Sequence, residues 1–141
     1  MWKIVMDTDV IVSAFISPEG ASRRLLLEAL KGNVALLLST PLLVEYESVL
    51  HRKEQLSKGR ATDAEVTEIL DALAGVCVPV VFDYSWRPTG SHPEDELVIE
   101  TAICGNADAL ATFNLKDMRD ATRHFGIHAG RPGPLLERVR R

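Results

Sequence analysis

Short apolar runs at residues 4–6, 34–38, 77–82, 109–112 and 126–128 alternate with stretches of helical periodicity, and this alternation limits the fold more than any other feature. Most of the runs are nearly continuous in apolar residues, the pattern of strands buried on both faces of a parallel sheet. Pro79 interrupts the third run and assigns it to a sheet edge, where a missing backbone donor is tolerated. Between the runs, helices are punctuated by recognisable ends. Thr40-Pro41 reads as an N-cap followed by proline at the first helical position, leading into Leu42, Leu43, Tyr46, Val49 and Leu50 on one face. Thr62-Asp63-Ala64-Glu65 reads as a capping box, after which Val66, Ile69, Leu70 and Leu73 keep helical spacing until Gly75. Further helices are expected over 22–31 before Gly32, 93–104 before Gly105, and 134–139. Strand and helix in alternation imply right-handed crossovers between parallel strands, so the expected class is α/β in three layers.

A chain of 141 residues suits a single domain over 1–141 with a core that needs no disulfide staples. With 46% hydrophobic and 26% charged residues, it lacks the unbroken apolar stretch of roughly 20 residues needed to span a bilayer, so no membrane partner is expected. The first residues run straight into a strand without the features of a secretory signal, and the expected address is cytoplasmic. Cys77 and Cys104 lie in apolar segments without metal or redox spacing, and read as packing residues. The net charge of -4 argues against a protein that coats nucleic acid by charge alone. Its distribution is uneven: residues 119–141 hold six arginines against Asp120 and Glu137, giving +4, which leaves -8 for residues 1–118. A second basic island spans 51–60. Either stretch is a solvated surface or a contact for a polyanion.

The carboxylates are the candidates for chemistry. Asp7-Thr8-Asp9 follows the first apolar run directly, and open α/β sheets bind ligands at the carboxyl ends of their strands. Asp9 is equally well placed to cap a helix over 10–15. Asp95 has Val98, Ile99 and Ala102 three, four and seven residues beyond it, which at ~100° per residue puts its carboxylate inside the apolar arc, flanked by Glu94 and Glu96. A helix-start acid behind Pro93 is the plainer alternative, but a carboxylate directed inward needs a cation or donors. Glu45 and Glu47 border opposite edges of one apolar face, and periodicity does not choose between them. Asp117 stands three residues after Asn114, a plausible N-cap, at the carboxyl end of the fourth run. Carboxylates converging on one crevice repel unless a cation neutralises them, and an all-oxygen set suits Mg2+ or Mn2+. His51, His92, His124 and His128 show no ligand spacing and read as cap or surface residues.

In this order the motifs resemble the PIN domain, a family of metal-dependent nucleases, and within it the VapC-like toxins of bacterial and archaeal toxin–antitoxin modules. The resemblance covers nearly the whole chain. It is carried by Val5-Met6-Asp7-Thr8-Asp9-Val10, by Leu38-Ser39-Thr40-Pro41 with Leu43 and Glu45, by Glu94-Asp95-Glu96 through Ala102, and by Thr112-Phe113-Asn114 with Asp117. The resemblance implies a five-stranded parallel sheet in the order 3-2-1-4-5. It implies that Asp7, Glu45, Asp95 and Asp117 are the catalytic acidic tetrad binding Mg2+ or Mn2+ directly or through water, supported by Thr8, Asp9, Thr112, Asn114 and Glu96. It also implies a homodimer, an RNA substrate and a cognate antitoxin. Three positions depart from the family pattern: Asp9 stands where asparagine is common, Asn114 where many relatives have aspartate, and His92 where an acid commonly precedes the proline.

The function expected from these readings is endoribonuclease activity by metal-assisted hydrolysis, with no protein nucleophile. Arg23, Arg24, Arg52, Lys53, Lys58 and Arg60 are candidate contacts to the RNA backbone. Two rivals share an acidic strand end. A haloacid-dehalogenase-type phosphatase would need Gly-Thr after the acidic pair and a catalytic lysine in context, and neither is present. A receiver-like binding domain would need an acceptor aspartate after the third strand, for which only Asp83 offers itself, and a lysine after the fifth, where His128 and Arg131 stand. A non-catalytic PIN fold is the remaining alternative.

Overall fold

The computed structural model describes residues 1–52, 62–82 and 93–141. Lys53, Lys58, Arg60, Asp83 and His92 lie outside the described residues. The order of elements is β1 (Lys3–Met6), α1 (Thr8–Ile16), α2 (Ala21–Leu30), β2 (Ala35–Ser39), α3 (Thr40–Leu50), α4 (Asp63–Val76), β3 (Val78–Val80), α5 (Pro93–Cys104), β4 (Ala109–Ala111), α6 (Leu115–Thr122), a 3-10 turn (Arg123–Phe125), β5 (His128–Gly130) and α7 (Pro132–Val139). The five strands form one parallel sheet in the order β3-β2-β1-β4-β5. This is the expected α/β class and strand order, with the proline-bearing β3 at an edge.

Right-handed crossovers in that order put α1 to α4 on one face of the sheet and α5 and α6 on the other. The packing agrees: α1 meets α2 and α3, α4 meets α2 and α3, α7 returns to lie on α2, and α5 meets α6. The central strands are buried from both sides, since Ile4, Val5, Met6, Ala109, Leu110 and Ala111 are all 0% exposed. At about 25 cal/mol per Å² of apolar surface removed from water, these continuous runs are the chief driving force for the layered arrangement. Cys77 and Cys104 are partly buried and pack against this core.

Local differences from the sequence reading have identifiable causes. The N-cap of α3 is Ser39 rather than Thr40, because the Ser39 hydroxyl accepts from the Leu42 amide at 3.3 Å, and Pro41 then sits one position further in. Gly75 does not end α4, which continues to Val76 with Cys77 as its C-cap. Thr62 does cap α4, accepting from the Glu65 amide at 3.1 Å. Strand β5 lies at His128–Gly130, two residues beyond the apolar run, because pairing with β4 selects Ala109↔His128 and leaves Ile127 as its buried approach. Helix α7 begins at Pro132, where proline occupies the first turn, and not at Pro134. Gly32 ends α2 as expected, with a left-handed φ of 82° that lets the Asn33 amide reach back to the Glu28 carbonyl at 3.0 Å.

Candidate active site: an acidic cleft at the carboxyl ends of the strands

Register brings the first residues of the site together. Met6 lies opposite Ala111, so β1 and β4 end side by side, and the Asp7 amide closes the ladder on the Ala111 carbonyl at 2.8 Å. Asp7, not Asp9, is the N-cap of α1: its Oδ1 accepts from the Thr8 amide at 2.7 Å. Its Oδ2 accepts from the Thr112 hydroxyl at 2.7 Å, and the same hydroxyl oxygen accepts from the Asn114 amide at 2.9 Å. A residue at the end of each central strand therefore fixes the Asp7 carboxylate from both sides. Asp9, in the first turn of α1, crosses to the β4 end and accepts from the Phe113 amide through Oδ2 at 3.2 Å.

Above these residues opens a cleft of about 420 Å³ lined by Asp7, Thr8, Asp9, Val12, Glu45, Val49, Arg52, Asp95 and Asn114. Glu45 comes from α3 and lines the cleft, whereas Glu47 is exposed and does not. Asp95 comes from the first turn of α5. Thus Asp7, Glu45 and Asp95 share one cleft, joined by Asp9. Asp117 is placed differently. It is exposed on the rim, outside the cleft lining, and accepts from the Asn114 side-chain amide at 3.2 Å. Glu96 is half-buried beside Asp95 in α5.

The electrostatics of the cleft are those of crowded acids. Burial raises the Asp7 carboxyl from its ordinary range to about 7, with the charges of Asp9 and Asp95 adding to the effect and the bonds from Thr112 and Thr8 opposing it. Burial likewise raises Asp9, against the Phe113 and Val10 amides, and Asp95 contributes. Among the described residues, Asp9 Oδ1 and Thr8 Oγ1 are buried without a hydrogen-bond partner. Buried polar atoms of this kind call for a ligand or water. Also among the described residues, no group of three or more His, Cys, Asp or Glu side chains is gathered tightly enough to enclose a metal ion. Asp7, Asp9, Glu45 and Asp95, which line the cleft, are all oxygen donors and could hold a hard ion through the water it keeps.

Two positioning features had no sequence signal. Tyr46, 0% exposed, donates its hydroxyl to the Met6 carbonyl and so ties α3 to the residue preceding Asp7. Burial, and secondarily the charge of Asp7, pushes its phenol well above the ordinary range, so it stays a donor. Ser39 at the end of β2 donates to Thr101 of α5 at 2.7 Å, and Thr101 donates to the Leu97 carbonyl at 2.7 Å. This buried relay links the helix that carries Glu45 to the one that carries Asp95. The candidate RNA contacts divide. Arg52 lines the cleft and Arg24 is exposed, but Arg23 turns its guanidinium inward, donating to the Ala14 and Phe15 carbonyls at the end of α1.

A parallel 3-2-1-4-5 sheet with helices on both faces defines an α/β/α domain, and its acidic cleft lies at the central strand ends. Residues 3–116 match the family model described as the PIN domain, and the chain belongs to that family. A chain of the crystal structure of VapBC2 from Rickettsia felis bound to a DNA fragment from their promoter shares the fold, with a TM-score of 0.60 at 16% identity over 92% of this chain and 98% of that one. A search of curated proteins finds no match.

Proposed function

We propose that the protein is a Mg2+- or Mn2+-dependent endoribonuclease, the toxin of a toxin–antitoxin module. The observation that carries this reading is the convergence of Asp7, Asp9, Glu45 and Asp95 on one cleft at the end of the central strands of a PIN fold. The buried, unpartnered Asp9 Oδ1 and the raised carboxyl of Asp7 support it, since both are relieved by a cation. A divalent ion bound there supplies water activation and charge neutralisation for phosphodiester hydrolysis. The chain's own residues do the rest. Thr8 and Thr112 hold Asp7 with its remaining lone pairs toward the cleft, and Arg52 offers a cation to an incoming phosphate. Val12 and Val49 form dry walls. Asp117, bonded to Asn114, belongs to the site from its rim.

The likeness to the VapBC2 structure supports an antitoxin as protein partner. A homodimer and a cytoplasmic setting complete the proposal; among the described residues no helix is long and apolar enough to cross a membrane. A second reading, a PIN fold that binds RNA without cutting it, is favoured by the lack of a tight three-ligand group among the described residues. One experiment separates the two: cleavage of a labelled single-stranded RNA by wild type, Asp7→Asn and Asp95→Asn, each with Mn2+ or with EDTA. Wild type with Mn2+ is expected to cut, and either substitution to lower the rate by about a hundredfold or more, beyond the usual cost of disturbing a metal's supporting shell. Equal RNA integrity across all samples would remove the nuclease reading and leave the binding one.

A further inference from the structure

We propose that the outer face of α6, from Lys116 through Arg119 to Arg123, is a track for the phosphodiester backbone of single-stranded RNA beyond the cleft. The proposal rests on the ribonuclease reading above. Helix α6 buries Met118 and Thr122 against the core. At ~100° per residue, Lys116, Arg119 and Arg123 then fall within about 60° of one another on the solvent side, while Asp117 and Asp120 occupy the adjoining arc. The 3-10 turn continues the helical backbone at Arg123, with φ -57° and ψ -30°, so the stripe is unbroken. It extends about 10 Å at 1.5 Å per residue. It starts beside Asn114, which lines the catalytic cleft.

The stripe ends in a second cleft of about 370 Å³, lined by Arg119, Arg123, Thr122, His128 and Ile127, with Asp120 among its walls. The cations of the stripe are not committed elsewhere among the described residues. Arg138 lies over the Trp2 ring at 4.6 Å, and Arg140 stands 3.8 Å from Glu28. Lys116, Arg119 and Arg123 are exposed and form no ion pair among the described residues; the Arg123 Nε makes only a 3.3 Å contact with the His124 ring. An aromatic residue stands at the end nearest the acidic cleft, Phe113 at 46% exposed. Cations in line with an exposed aromatic ring are the combination that binds single strands, by phosphate contact and base stacking. In a chain whose residues 1–118 carry -8, an entering polyanion is repelled from most of the surface and retained here.

The test uses the full chain with Asp7→Asn, so that no RNA is cut, and measures binding of a fluorescent single-stranded oligoribonucleotide over a range of salt. Adding Arg119→Gln and Arg123→Gln is expected to weaken binding about tenfold or more at low salt. It should also reduce the slope of log K against log salt by about 0.7 for each phosphate that is no longer neutralised. Adding Arg140→Gln, which removes a charge away from the track, should leave the slope unchanged. An unchanged slope in the α6 double variant overturns the track while wild-type cleavage keeps the nuclease reading intact. Equal weakening from Arg140→Gln also overturns it, because net charge alone then accounts for binding. If the Asp7→Asn protein binds no RNA, the track falls together with the RNA reading. A folding control is the melting temperature, which these exposed substitutions should shift by little.

Discussion

Asp7 has two roles whose demands conflict. As the cap of α1 it must accept from Thr8, and as a 6% exposed acid among other acids it is held near a pKa of about 7. A carboxyl raised above its unfolded value stabilises the fold fully below the ordinary carboxylate range, and that contribution is lost as pH rises through about 7. At pH 8 the penalty reaches on the order of 4 kcal/mol. In the presence of a chelator, Tm is therefore expected to fall between pH 4.5 and pH 8. Mn2+ should restore it, more at pH 8 than at pH 6, because binding displaces the proton. Asp7→Asn should flatten much of the profile and melt above wild type at pH 8 with chelator, while abolishing cleavage. A wild-type Tm that is level across this range in chelator would contradict the assignment.

Elements are legible in the sequence where their cause is local. Apolar runs locate the strands, and Thr62 and Gly32 mark helix ends, because each acts on atoms a few residues away. Where the partner is distant along the chain, local pattern misleads or says nothing. Strand β5 is set by its ladder with β4, and α3 is capped by Ser39 although the sequence points to the adjacent Thr40. The Ser39 hydroxyl is shared with Thr101, 62 residues away. The inward direction of Asp95 is legible from helical phase, whereas family resemblance alone separates Glu45 from Glu47. The placement of Asp117 on the rim depends on how α6 leaves β4, which no local pattern encodes. The Ser39–Thr101 relay yields an element-level prediction. Thr101→Val keeps shape but strands the Ser39 hydroxyl, and chemical denaturation should show a destabilisation of about 1–3 kcal/mol. Cleavage should fall as well, because α3 and α5 then lack the buried link that sets Glu45 against Asp95. An unchanged midpoint would show the relay to be dispensable.

At the scale of the whole molecule, α7 lies beyond the 3–116 span of the family match yet packs on α2, with Leu135 1% exposed. The tail is thus part of the core's cover, and Leu135→Ala should cost about 2–5 kcal/mol in denaturant titration. Its arginines reach back over the same surface, Arg138 over the Trp2 ring and Arg140 to within 3.8 Å of Glu28. The sheet beneath this cover has two margins, and both are poor templates. One is β3, three residues with Pro79 at the middle; the other is β5, three residues followed at once by Arg131 and Pro132. A foreign strand laid along either would find too few free amides and carbonyls to continue the ladder. Among the described residues, the sheet is thereby guarded against growing edge to edge into fibres.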